Sequence, residues 1–237
     1  MRPDGRQADE LRPISLTPHA APYAEGSVLI ALGNTRVLCT ATVEESLPRW
    51  MEQEGREGGW ITAEYAMLPR ATQTRTPRTN WQSSRSQEIR RLIGRSLRAA
   101  FDLSLLGRRS ITVDADVLQA DGGTRTAAIT GGYVAVALAL RPLIAAEEIP
   151  AEVFRSPLAA VSVGVVDGVP MLDLCYAEDL HAEVDMNVVM DAQGRIVEIQ
   201  GTAEGAPFSR ATHERLLDLA WSGIQRLLAA QRKVLEE

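Results

Sequence analysis

The sequence predicts an α+β fold, and three observations carry that reading. Short apolar runs follow one another across Gly-, Asp- and Asn-containing turns, the pattern of antiparallel hairpins and not of a doubly wound parallel sheet. Strands precede helices, and this order occurs in two roughly similar halves. Pro150 and Pro157 bracket a linker, which divides the chain into residues 1–150 and 151–237, expected to form one compact unit. A length of 237 residues with 45% hydrophobic content suits one large domain or two small ones, with a sizeable core.

In the first half, residues 28–32 and 36–43 are apolar runs joined by Gly33-Asn34-Thr35, a hairpin signal. Residues 45–59 are polar, carry Pro48 and three glycines, and read as a mobile loop. Trp50 and Met51 are out of place there and suggest packing onto the core or onto another subunit. Residues 60–68 form the next strand. Residues 70–84 are rich in Thr, Arg, Ser and Pro, lack an apolar period and read as an exposed loop. Ser84-x-x-Gln87 reads as a capping box opening a helix. On that helix Ile89, Leu92, Ile93, Leu97 and Ala100 share one face, with Arg91, Arg95 and Arg98 opposite as a basic stripe. Gly94 costs about 1 kcal/mol relative to alanine and implies close packing. Residues 111–118 form a strand. A small-residue helix over 127–140 follows, with Gly131 and Gly132 implying tight contact with a sheet and Pro142 ending it.

In the second half, residues 159–166 and 170–174 form a hairpin around Asp167-Gly168. Residues 183–190 and 196–201 form another around Asp191 to Gly194. Residues 209–235 read as a long amphipathic helix with Leu216, Leu217, Ala220, Ile224, Leu227 and Leu228 on its apolar side.

Composition excludes several classes. No window reaches the roughly 18 consecutive apolar residues of a membrane span. The N-terminus, Met1-Arg-Pro-Asp-Gly-Arg6, lacks the apolar core of a signal peptide. Cys39 and Cys175 sit in apolar runs and make no disulfide framework, which points to the reducing cytoplasm. No His or Cys neighbours them as in a zinc site, and His19, His181 and His213 are scattered. The net charge of −6 is unevenly spread. Between Arg70 and Arg98, eight arginines against one acid, Glu88, give +7, which leaves −13 for the remainder. Such a strip can hold a polyanion, although a solvated basic face has the same composition.

Two constellations carry chemistry. In Gln119-Ala-Asp-Gly-Gly-Thr-Arg-Thr-Ala127 a strand, a glycine turn and a helix start succeed one another. The first N–H groups of a helix have no internal partner, and its dipole adds positive charge, so this order makes an anion site. Gly122 and Gly123 allow close approach of backbone to an oxyanion, Thr124 supplies a hydroxyl and Arg125 a planar fork. The turn is not a Walker loop, because the only lysine is Lys233. A tight turn capped by threonine fits the same nine residues. The second constellation is Asp179 and Asp185. Asp185 lies within a strand whose Val184, Met186 and Val188 face one way, so it shares the other face with Glu183 and Asn187. Two converging carboxylates suit Mg²⁺, a general acid with a raised pKa, or an ordinary pair of hairpin acids. Asp114 and Asp116 form another pair on one strand face, and Asp121 is read as stabilising the turn.

Taken together, several segments resemble the ribonuclease PH family of phosphate-dependent 3′-exoribonucleases that trim transfer RNA precursors. They are Met1-Arg-Pro-Asp-Gly-Arg6, Tyr23-Ala-Glu-Gly-Ser27, Gly59-Trp-Ile-Thr-Ala-Glu-Tyr65, Leu68-Pro-Arg-Ala-Thr72, Glu88-Ile-x-Arg-Leu-Ile-Gly-Arg95, Ala120-Asp-Gly-Gly-Thr-Arg-Thr-Ala127, Leu172-Asp-Leu-Cys-Tyr-x-Glu-Asp179 and Glu183-Val-Asp-Met-Asn187. They run in family order across nearly the whole chain. The resemblance implies a fold like the second domain of ribosomal protein S5, assembled as a homohexamer of three dimers. It implies that Arg85, Gly123, Thr124 and Arg125 bind phosphate and that Asp179 and Asp185 serve catalysis and hold Mg²⁺. It also implies that Arg70, Arg75 and Arg78 serve RNA binding and assembly. The substrates implied are tRNA precursors and other RNA 3′ ends, with inorganic phosphate as co-substrate and nucleoside diphosphates as products. One departure is Thr79-Asn-Trp-Gln-Ser-Ser84, where the family usually carries Gly and Lys and this chain carries Trp81. A non-catalytic RNA-binding ring subunit and a hydrolytic metal nuclease are the rival readings, and product identity separates all three.

Overall fold

The computed structural model describes residues 2–236. Among these, β1 (Ile14–Pro18), β2 (Gly26–Leu32), β3 (Thr35–Glu44), β4 (Trp60–Met67) and β5 (Ser110–Gln119) form one sheet in the order β1-β2-β3-β5-β4. All neighbours are antiparallel except β4 and β5. A parallel pair needs a crossover, and the crossover contains a helix, α2 (Ser84–Ala100). The second sheet is wholly antiparallel: β6 (Leu158–Val166), β7 (Val169–Leu172), β8 (Val184–Asp191) and β9 (Ile196–Ala203), in the order β7-β6-β8-β9.

Helix α3 (Thr124–Ala145) joins the two halves by packing on β2 and β3 of the first sheet and β6 of the second. Every residue from 126 to 140 is buried. A helix apolar on all sides must be enclosed by other elements. A Cβ on Gly131 would stand 2.8 Å from Ile30 Cγ2 and 2.9 Å from Cys39 Sγ, so only glycine permits this approach. By length and composition α3 would suffice to cross a membrane, and its burial in the core accounts for that composition. Helix α5 (Arg210–Glu236) packs on β6 and β7 and reaches β1, burying Leu216, Ala220, Ile224, Leu227 and Leu228 while Leu217 stays half-buried.

Several local expectations change. Strand β1 was not legible: its five residues alternate between half-buried and exposed and end at a proline, as an edge strand does. Residues 45–59 are not merely loop. They contain α1 (Arg49–Gln53), with Met51 buried and Trp50 edge-on to Trp60 at 5.0 Å between ring centroids. The cap of α2 is one residue earlier than the capping box places it, with Ser83 Oγ accepting from the Ser86 N–H at 3.2 Å. The 70–84 loop ends in a 3-10 turn, Arg78–Gln82. Helix α3 starts three residues before Ala127, and Pro142 lies inside it, sacrificing one N–H in the last turn without ending it. The basic stripe on α2 is largely engaged. Arg95 pairs with Glu198 at 3.0 Å, and Arg98 donates to the Ile61 carbonyl at 2.9 Å while stacking on Trp60.

Candidate active site

The glycine turn has the conformation that an anion cradle needs. Gly122 and Gly123 lie at φ 75° and 65°, a left-handed region that costs L-residues about 1–2 kcal/mol. These two residues swing the chain from β5 directly into α3, with Gly123 as N-cap and no side chain capping it. The N–H groups of Thr124, Arg125 and Thr126 find no acceptor among the described residues. Thr124 is held by the Tyr65 hydroxyl at 2.8 Å, and the Thr126 hydroxyl donates to the Gly123 carbonyl at 2.9 Å. A Cβ on Gly122 would stand 2.5 Å from the Leu174 carbonyl oxygen and 2.9 Å from the Tyr176 nitrogen. The turn is therefore pressed against the segment that carries Asp179. Gly122→Ala combines a left-handed strain with a backbone collision, so it is expected to lower stability by about 2–4 kcal/mol. A fall in Tm of several degrees in a thermal melt checks this.

Buried arginines from the N-terminal arm fasten the two halves of the site together. Arg12, 3% exposed, donates to both oxygens of buried Asp173, at 2.9 and 2.7 Å. The same guanidinium donates to the Asp121 and Gly122 carbonyls of the turn. Thr35 also donates to Gly122 O at 2.6 Å. Asp121 accepts from Tyr176 N at 3.2 Å, which ties the turn to the second half. Arg2 forms a two-pronged pair with Glu178, at 2.7 and 2.8 Å, and Glu178 in turn caps α4 (Tyr176–Asp179) through the Cys175 N–H. Bidentate arginine–carboxylate pairs are directional as well as strong, so they fix where α4 presents Asp179. Burial works against the Glu178 carboxylate, but the bonds from Arg2 and Cys175 prevail and hold its pKa below the usual value.

These elements wall a cleft of about 750 Å³. Arg70, Arg85, Gly123, Thr124, Arg125, Asp179 and Asp185 all line it. Arg85 sits in the first turn of α2, exposed and without a protein partner among the described residues. Arg125 reaches Gln200 at 3.2 Å and Glu88 at 3.5 Å, and Gln200 braces Glu88 at 3.1 Å. Arg75 and Arg78 share the loop with Arg70 but do not line the cleft; both are exposed beyond it. Asp114 and Asp116 lie elsewhere, with Glu64 and Trp81 around a separate groove of about 210 Å³. Burial raises the pKa of both.

Both acids are pushed toward their neutral forms. Burial, with Asp179 adding to it, pushes the Asp185 carboxyl up to about 6 against the opposing pull of Arg125. Burial raises Asp179 as well, opposed by Arg85 and Arg125. Two carboxylates that resist ionising together favour a bound cation. Among the described residues no group of three or more His, Cys, Asp or Glu could enclose a metal by itself. Two carboxylates facing an anion cradle match a cation that completes its shell with phosphate oxygens and water, which is the habit of Mg²⁺.

Local sequence gave no role to several residues that build this site. Arg2, Asp173 and Glu178 belong to segments that resemble the family and Arg12 lies outside them, yet only the tertiary contacts assign all four as struts. Tyr65 and Gln200 hold Thr124 and Arg125 from strands distant in sequence. Partners so far apart leave no periodic signal; a buried arginine is visible only once burial is known.

The comparisons with known proteins bear on the family and the fold. Residues 10–142 match the model for the 3′ exoribonuclease family, domain 1, and residues 156–223 match domain 2 of the same family. Ribonuclease PH of Moorella thermoacetica is 56% identical over 238 residues, covering 99% of this chain and 94% of that protein. The crystal structure of rice (Oryza sativa) Rrp46 shares the fold with a TM-score of 0.79 at 21% identity, over 99% of this chain and 100% of that one. The Archaeoglobus fulgidus exosome with RNA bound to the active site gives 0.78 at 23% identity, over 99% and 91%. The chain belongs to the ribonuclease PH family of 3′ exoribonucleases.

Proposed function

We propose that the protein is a phosphorolytic 3′-to-5′ exoribonuclease, a tRNA nucleotidyltransferase that trims tRNA precursors in the cytoplasm as a homohexamer. The observation that carries this reading is the meeting, in one cleft, of a helix N-terminus flanked by Arg85 and Arg125 with the paired acids Asp179 and Asp185. Residues 1–150 contribute the cradle and the basic loop, and residues 151–237 the acids, so catalysis requires the two halves to stay in register.

Orthophosphate is held by Arg85, Arg125, the Thr124 hydroxyl and the first N–H groups of α3. One of its oxygens attacks the phosphorus of the last internucleotide link. The P–O3′ bond breaks, the terminal nucleotide leaves as a nucleoside diphosphate, and the departing O3′ takes up the proton that hydrogen phosphate carried, so the shortened RNA ends in a 3′ hydroxyl. Two anions must meet, so the arginines and the helix dipole supply attraction in place of repulsion, in a geometry that exists before substrate arrives. Asp179 and Asp185 would hold Mg²⁺, which supplies charge to offset the scissile phosphoryl group and departing oxygen. Arg70, with Arg75 and Arg78 on the same loop, grips the upstream RNA by its phosphates, so affinity falls steeply with salt.

Product identity tests the reading directly. Purified protein with a 3′-extended RNA and Mg²⁺ should release nucleoside diphosphates only when inorganic phosphate is present. Monophosphates without phosphate would establish hydrolysis, and binding without products would establish an RNA-holding ring subunit.

A further inference from the structure

Asn187 is a buried side chain that the fold does not use. It is 8% exposed on β8, between Met186 and Val188, and lines the cleft. Its amide makes no hydrogen bond to another described residue, and the side chain still reaches the cleft. A buried amide carries two donors that need acceptors. The cleft is where those acceptors must come from.

Strand register shows what surrounds it. Ser162, Asn187 and Gln200 lie directly opposite one another on β6, β8 and β9, forming one polar row. At one end Gln200 accepts from Arg125 at 3.2 Å. At the other, Ser162, 4% exposed, accepts from Leu174 N at 3.2 Å and keeps its own hydroxyl proton free to donate. Its Oγ stands 3.8 Å from where a Cβ on Gly123 would be. The row thus runs from beneath the glycine turn to the residue that braces Arg125. Asp185 lies two residues along β8, on the same face. A third carboxylate at position 187 would repel an incoming anion, whereas an amide offers N–H donors without charge.

We propose that Ser162 and Asn187 form the floor of the phosphate cradle, donating their hydroxyl and amide protons to oxygens of the attacking orthophosphate. This inference rests on the phosphorolytic reading and adds two neutral binding residues to it. The α3 N-terminus and arginines approach the anion from above, and this pair approaches from the sheet. Neutral donors here also keep the nucleophile apart from Asp185 without adding to the charge that Asp185 already bears.

Steady-state phosphorolysis with Asn187→Asp, Asn187→Ala and Ser162→Ala tests it, alongside RNA affinity measured by fluorescence anisotropy without phosphate. Asn187→Asp is nearly isosteric and should raise the KM for phosphate about a hundredfold at pH 8, and Asn187→Ala about tenfold. Ser162→Ala should raise it severalfold. RNA affinity should stay within twofold of wild type, and thermal melting should show the fold intact. A wild type that releases diphosphates while Asn187→Asp keeps an unchanged KM for phosphate overturns this inference alone. So does a change confined to RNA affinity, which would place the amide against the scissile link. A wild type that releases no diphosphates removes the functional reading and this inference with it.

Discussion

Arg125→Ala is expected to lower phosphate-dependent release of nucleoside diphosphates by about 10²–10³-fold, the usual effect of removing one charged donor from a site of developing negative charge. Its fold should survive. Arg125 is bonded only to Gln200 and to the partly exposed Glu88, and such a pair contributes less than about 1 kcal/mol. The loss should fall on phosphate: a raised KM for phosphate and a lowered kcat, with RNA affinity in phosphate-free buffer changed far less. The contrast with Arg12 is instructive. Arg12 lies under the same turn, but its removal strands buried Asp173 and is expected to cost stability as well as rate. Full turnover in Arg125→Ala would take the α3 N-terminus out of the mechanism.

Asp185→Asn is expected to abolish Mg²⁺-dependent turnover, by about 10³-fold or more, while making the metal-free protein more stable at pH 8. The second effect follows from the raised pKa. A carboxyl at about 6 in the folded chain, against 3.8 as its ordinary value, contributes most to stability at low pH, when protonated. That contribution is lost as pH rises through about 6. At pH 8 the wild type therefore carries an unfavourable buried charge that asparagine lacks. The gain should be about 1–3 kcal/mol. Melts in EDTA should show the variant above wild type at pH 8 and level with it near pH 4. The same proton competes with the cation, so the Mg²⁺ concentration for half-activity should rise about tenfold per pH unit below about 6. A variant that loses activity and stability together would mark Asp185 as a structural acid.

Much of this architecture is local and was open to reading. The hairpins announce themselves by turn residues, and α2 and α5 by the 3.6-residue period of their apolar faces. The errors are local too. Pro142 ends a helix on propensity alone, but burial of α3 through residue 140 outweighs one missing N–H. Trp50 and Met51 were anomalous for a loop because they belong to a small helix packed on Trp60.

By itself the sequence determined the α+β class, the glycine turn that opens a helix and the residue types of the acidic pair, because each depends on neighbours within a few positions. Only the tertiary structure decided that the turn and the acids share one cleft, that Arg2 and Arg12 lock them in register, and that Arg75 and Arg78 stand outside it. Such relations join residues far apart in the chain, 176 positions in the case of Arg2 and Glu178. They arise from how α3 packs against two sheets, and no local period or spacing encodes that.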